Sequence, residues 1–144
     1  MTDTSPDETS RLTQQEALVA IMVATSASDD TVRTSELLTI QRIVQSLPVF
    51  AGFDHSAIRP VSELVFRLFA EEDGLDAFFS VVKEALPRRL NETAYALACD
   101  IAASDGRLGQ QELELLEEIR EELEVSKLHA AAIEQGARAR HLGL

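Results

Sequence analysis

Moved by 76 positions, the second half of this chain lies over the first. Ala20 falls on Ala96, Ala27 on Ala103, Ser28 on Ser104 and Asp29 on Asp105. Past a short bend, Glu36 falls on Glu112, Leu37 on Leu113, Ile40 on Leu116, Ile43 on Ile119 and Leu47 on Leu123. Apolar residues three and four apart mark a helix on each side of each bend. Both halves therefore predict one unit: an apolar helix, a bend carrying Asp, and a second helix with Glu in its first turn. The small residues and the Asp-to-Glu spacing of seven coincide too, which two unrelated amphipathic helices need not share.

The rest of the chain reads as helix in the same way. Residues 1–11 are polar and without period, and are expected to be a disordered lead-in to one domain over 12–144. Thr13-Gln14-Gln15-Glu16 forms a capping box, opening a helix through Leu18, Ile21, Met22 and Ala24 to about Ala27. A second helix from about Thr34 to Leu47 is stopped by Pro48. After Val49-Phe50-Ala51-Gly52-Phe53, a short helix capped by Asp54 leads into one carrying Leu64, Val65, Leu68 and Phe69. Asp73-Gly74 breaks it, and Leu75 to Leu86 is amphipathic through Phe78, Phe79 and Val82. From Ala94 to Ala103 only Asp100 is charged, so that helix is expected to be central and buried nearly all round. The helix from Gln110 to Glu124 sets seven Glu and one Arg around a seam of Leu113, Leu116, Ile119 and Leu123. Ser126 caps a last helix that fades near Gly136. The expected fold is all-α: a compact single-domain bundle of about seven to eight helices in two pseudosymmetric halves.

Composition then removes function classes. Acids outnumber bases 25 to 13 for a net charge of −12, whereas nucleic-acid binding needs Lys and Arg to neutralise phosphates. Polynucleotides and anionic membrane surfaces are disfavoured; cations and basic protein surfaces are favoured. No apolar stretch approaches the roughly 20 residues that span a bilayer. The acidic start Met1-Thr2-Asp3-Thr4-Ser5-Pro6-Asp7-Glu8 is the reverse of a signal peptide, and Cys99 has no second cysteine to pair with. The expected compartment is the cytoplasm.

Ala102-Ala103-Ser104-Asp105-Gly106-Arg107-Leu108 followed by Glu112 resembles the alanine-rich, Asp-Gly, Glu signature of the tellurite-resistance protein TerB-like family. Leu86-Pro87, Thr93-Ala94-Tyr95-Ala96-Leu97-Ala98 and Leu47-Pro48-Val49-Phe50 are similar to that family as well, and the likeness spans roughly residues 13–135. The resemblance implies a helical bacterial fold with two pseudosymmetric halves, divalent-metal binding by acidic loop residues, and a link to tellurite and other stress-resistance operons. The first half departs from the signature with Asp29-Asp30 in place of Asp-Gly. Arg33 and Gly109 stand where a capping Ser, Thr or Asp is expected.

Two readings of the acidic bends stay open. Hard cations take oxygen ligands from carboxylates, carbonyls and water. Asp29, Asp30 and Glu36 in one half, with Asp100, Asp105 and Glu112 in the other, are the candidate metal ligands, for Ca²⁺, Mg²⁺, Mn²⁺ or Zn²⁺. The competing account is structural: Asp begins a turn at a helix end, Gly106 permits positive φ, and Glu36 and Glu112 complement a helix N-terminus. The EF-hand spacing is absent. Asp100 needs a partner, a proton or an edge facing water.

Enzyme readings find little. His55, His129 and His141 lack zinc-site spacing, and no phosphate-cradling glycine loop, G-x-S-x-G elbow or C-x-x-C pair occurs. An oxyanion-processing enzyme using Cys99 is a third reading, disfavoured because apolar neighbours raise a thiol pKa. The leading expectation is a non-catalytic stress-response module that binds divalent cations weakly and docks other stress-resistance proteins with basic surfaces. The alternative is a ligand-free structural interaction or oligomerisation domain.

Overall fold

Thr13 starts the first helix as its sequence predicts. In the computed structural model, which describes residues 11–27, 34–104 and 110–144, the Thr13 side chain accepts from the Glu16 backbone N–H at 3.0 Å. The Glu16 carboxylate accepts from the Thr13 N–H in return, at 2.9 Å. Helix α1 (Gln14–Ser26) then buries every residue from Ala17 to Ser26. Its two hydroxyls return to its own carbonyls, Thr25 to Ile21 and Ser26 to Met22, so they enter the core with their hydrogen bonds made.

Helix α2 (Thr34–Ser46) buries Ile40 and Val44 and ends ahead of Pro48. A 3-10 turn, Pro48–Phe50, tucks Phe50 into the core. Asp54 accepts from the Ser56 N–H to start a second turn, His55–Ala57, which runs into α3 (Ile58–Phe69). Gly74 opens α4 (Gly74–Ala85) because the end of α3 crowds it: a Cβ there would stand 2.5 Å from the Leu68 carbonyl oxygen. A third 3-10 turn, Arg88–Leu90, leads into α5 (Asn91–Ser104). Helices α6 (Gln110–Glu122) and α7 (Lys127–Arg140) follow, the latter capped by Ser126 accepting from the His129 N–H. Seven α-helices and no strand occur among the described residues, as the all-α expectation requires.

Helix α1 is the hub of the first half, packed against α3 and α4; α5 is the hub of the second, packed against α6 and α7. The two hubs pack on each other, and the cross pairs α2 with α5 and α1 with α6 also meet. Helices α2 and α6 are each 13 residues long, with bounds that match at the offset of the sequence repeat.

Three expectations need correction. The last helix does not fade at Gly136 but continues to Arg140. Burial of Ala137 and a contact from Arg140 to α5 offset the roughly 1 kcal/mol a helical Gly costs. Leu113 is not part of a closed seam: it is 46% exposed, while Leu116, Ile119 and Leu123 are buried. A stripe of four residues on α1 understates it, since its whole circumference from Ala17 onward is covered. Of the expected lead-in, residues 1–10 lie outside the described residues.

Candidate functional site

The candidate metal ligands divide into two groups. Asp29, Asp30 and Asp105 lie outside the described residues. Glu36 and Glu112 stand, half-buried, in the first turns of α2 and α6, equivalent places in the two halves. Among the described residues, no group of three or more His, Cys, Asp or Glu side chains is arranged to hold a metal ion. Asp100 already has cationic company: its Oδ1 accepts from Arg140 Nη2 at 2.6 Å and lies 3.4 Å from His141 Nε2. The partner that a mostly buried carboxylate needs comes from α7.

That contact is one of a series the sequence reading did not find. Glu92 meets His129 Nδ1 at 2.5 Å, the Tyr95 hydroxyl donates to Glu134 at 2.5 Å, and Asp100 meets Arg140. Partner numbers rise together along both helices, so α5 and α7 run parallel, joined at three levels. Each pair is separated by 37 to 40 residues, beyond the reach of helical spacing. Only the lone charge at Asp100 signalled that a polar partner was required. At the far corner, Asn91 Nδ2 donates to the Leu123 carbonyl and Arg120 Nη1 to the Val125 carbonyl, closing the end of α6 and the turn that follows.

Between α6 and α7, floored by α5, lies a cleft of about 200 Å³. Buried Tyr95, Cys99 and Ala102 form its floor, with Leu113 and Leu116 on one wall. Glu117, Glu134 and Arg138 supply its charged groups.

A family model described as tellurite resistance protein TerB matches residues 13–135. The chain belongs to the TerB family. A search of curated proteins found no match, and neither did a search of solved structures. The TerB match begins at the Thr13 cap and takes in both bends, Tyr95, Cys99 and Glu134, but stops before Arg138, Arg140 and His141. The Asp100 clasp therefore joins a residue inside the TerB segment to residues beyond it.

The chemistry of the TerB chain's interior is subdued. Burial pushes the Cys99 thiol up to about 12, with the Tyr95 hydrogen bond opposing that shift. Burial, and then the hydrogen bond to Glu134, raises the Tyr95 hydroxyl well above its ordinary range. A thiol held protonated at neutral pH is a poor nucleophile. Arg120, gripped by Glu117 at 2.7 Å, has its pKa raised by that contact, and Glu117 is lowered by the same hydrogen bond. Among the described residues, no helix is long and apolar enough to cross a membrane.

Proposed function

We propose that this TerB-family chain is a non-catalytic module of a tellurite- and stress-resistance system, in which the two acidic bends hold a divalent cation and the acidic surface docks basic partner proteins. The observation that carries the cation reading is the repeat: α2 and α6 match in length and register and bring Glu36 and Glu112 into equivalent first turns. Asp29, Asp30 and Asp105 would complete the set with Glu36 and Glu112. This proposal leaves Asp100 to Arg140. An all-carboxylate donor set fits Ca²⁺, Mg²⁺ or Mn²⁺ better than Zn²⁺, which favours His and Cys. Such an ion would act as a cross-link between the two acidic bends.

The absence of catalysis is supported by the protonated, buried Cys99 and the hydrogen-bonded Tyr95, neither poised as nucleophile or base. A cytoplasmic setting is supported by the unpaired Cys99. The second reading, a ligand-free interaction domain, draws on the same two glutamates, because a carboxylate in a first turn complements the helix dipole without any ion.

Thermal unfolding separates the two. The melting temperature is measured in EDTA and then with Ca²⁺, Mg²⁺ or Mn²⁺, for the parent chain and for Asp105→Asn and Glu112→Gln. A cation at about 100 times its Kd should stabilise by roughly 2.7 kcal/mol, and both variants should lose that gain. Identical melting in EDTA and in every cation leaves only the ligand-free reading.

A further inference from the structure

The cleft between α6 and α7 is larger than the roughly 150 Å³ that suffices to hold benzene in an engineered protein cavity, at about 200 Å³. Its polar atoms do not ask for a ligand. Tyr95 donates to Glu134, Arg138 donates to Gln135, and Glu117 accepts from Arg120. Among the described residues, no buried side-chain polar atom lacks a hydrogen-bond partner. Most of what lies uncovered is apolar, with Leu113 46% exposed above the buried Leu116. An apolar group entering here would bury this surface while the Tyr95–Glu134 and Arg120–Glu117 hydrogen bonds stay in place.

The α6 side of the cleft is acidic. Glu114, Glu117, Glu118 and Glu121 are exposed along α6, and the chain as a whole carries −12. Against them, Arg120 is committed to Glu117, and Arg138 is the single basic residue lining the cleft among the described residues. A second copy of the chain, a polynucleotide or an anionic lipid surface would each bring like charge to this face. We infer that the cleft is the docking site for a basic segment of a partner protein, which inserts one Leu-, Met- or Phe-sized side chain between α6 and α7 while its Lys or Arg residues lie along the glutamates of α6. The inference rests on the docking half of the function proposed above and gives it a location and a recognition chemistry.

The test is a selection from a random displayed-peptide library on the full chain, followed by fluorescence anisotropy and amide-shift mapping of the enriched peptides. Enriched sequences should carry Lys or Arg on both sides of one apolar residue. Replacing that residue by Ala should weaken binding about tenfold or more, the usual return for burying one such side chain. Shifted amides should cluster at Cys99 to Ala103 and Leu113 to Glu117. Leu113→Ala, at an exposed position that does not hold the fold, should weaken binding severalfold, and Glu117→Gln should flatten its salt dependence. Basic peptides that shift other amides, or that bind equally well without the apolar residue, overturn this site while leaving the docking function standing. Enrichment of acidic or uncharged peptides, or of none, overturns both.

Discussion

Helices α1 and α5 occupy the same place in the two halves of the repeat, yet their interiors differ in kind. At the repeat offset, Val19 corresponds to Tyr95, Val23 to Cys99 and Ala24 to Asp100. All three positions on α1 are apolar and essentially inaccessible. Their counterparts on α5 face α7, which answers with Glu134 and Arg140. Burial dominates the first half, where Gln15 Nε2 adds hydrogen bonds to the Val49 and Ala51 carbonyls at 3.1 Å. The second combines small-residue packing at Ala130 and Ala137 with hydrogen bonds and ion pairs. One helical frame thus tolerates either chemistry, provided the covering helix supplies what the hub exposes. An apolar interface needs only shape, whereas a polar one needs a matched partner for every group.

Moving the polar pattern into the apolar half should break the comparison most severely. Ala24→Asp gives α1 the carboxylate that α5 carries, at a site 1% exposed within the apolar core. The expected loss is about 3–5 kcal/mol, read as a collapse of the urea midpoint, because the new charge is buried without a partner. A folded variant of parental stability would show that the two hubs are more alike than their packing implies.

A smaller effect comes from removing the polar pattern where it belongs. Tyr95→Phe takes the donor from Glu134 and should cost about 1.5–3 kcal/mol, the range for a hydrogen bond to a charged group. The same side chains set an alkaline limit. Both Cys99 and Tyr95 are raised in the folded state, so the native protein keeps protons that the unfolded chain releases. Their stabilisation is complete below the unfolded values, about 8.5 for the thiol and about 10 for the phenol, and is lost as pH rises past each. For Cys99 the loss should run up to about 12. Stability measured from pH 8 upward should therefore fall, and the fall should flatten in a Cys99→Ala, Tyr95→Phe double variant. Helix α1, with Val23 and Val19 at those places, contributes nothing to it.

The mildest test concerns the clasp at the end of α5. Asp100→Asn removes its pairing with Arg140, whose side chain is 56% exposed, and should cost on the order of 1 kcal/mol or less. Part of that cost should disappear in high salt, whereas the Ala24→Asp penalty should not.

Much of the scaffold was legible because it is written in local rules. The capping box at Thr13, the caps at Asp54 and Ser126, the stop at Pro48 and the buried character of α5 each depend on residues within a few positions of one another. The unbroken apolar run from Ala17 to Ala24 also announced a helix covered on all sides, although a search for a single stripe passes over it. Leu113 fits a helical seam by spacing, yet it stands exposed at the cleft that α6 and α7 line. The polar seam was not legible, since Tyr95–Glu134 and Asp100–Arg140 are set by which helices pack together. Of the proposed cation ligands, the placement of Glu36 and Glu112 in first turns followed from spacing. Asp29, Asp30 and Asp105 fall outside the described residues.

The fastening of α6 at its C-terminal corner has a mechanical meaning. With the Leu123 carbonyl held by Asn91 of α5, and the next turn closed by Arg120 of α6 itself, that corner anchors one end of a rod roughly 20 Å long. Leu123 sits beside that anchorage and Leu113 about 15 Å along the rod, so the apolar mouth of the cleft lies on the part of α6 that this corner ties down least.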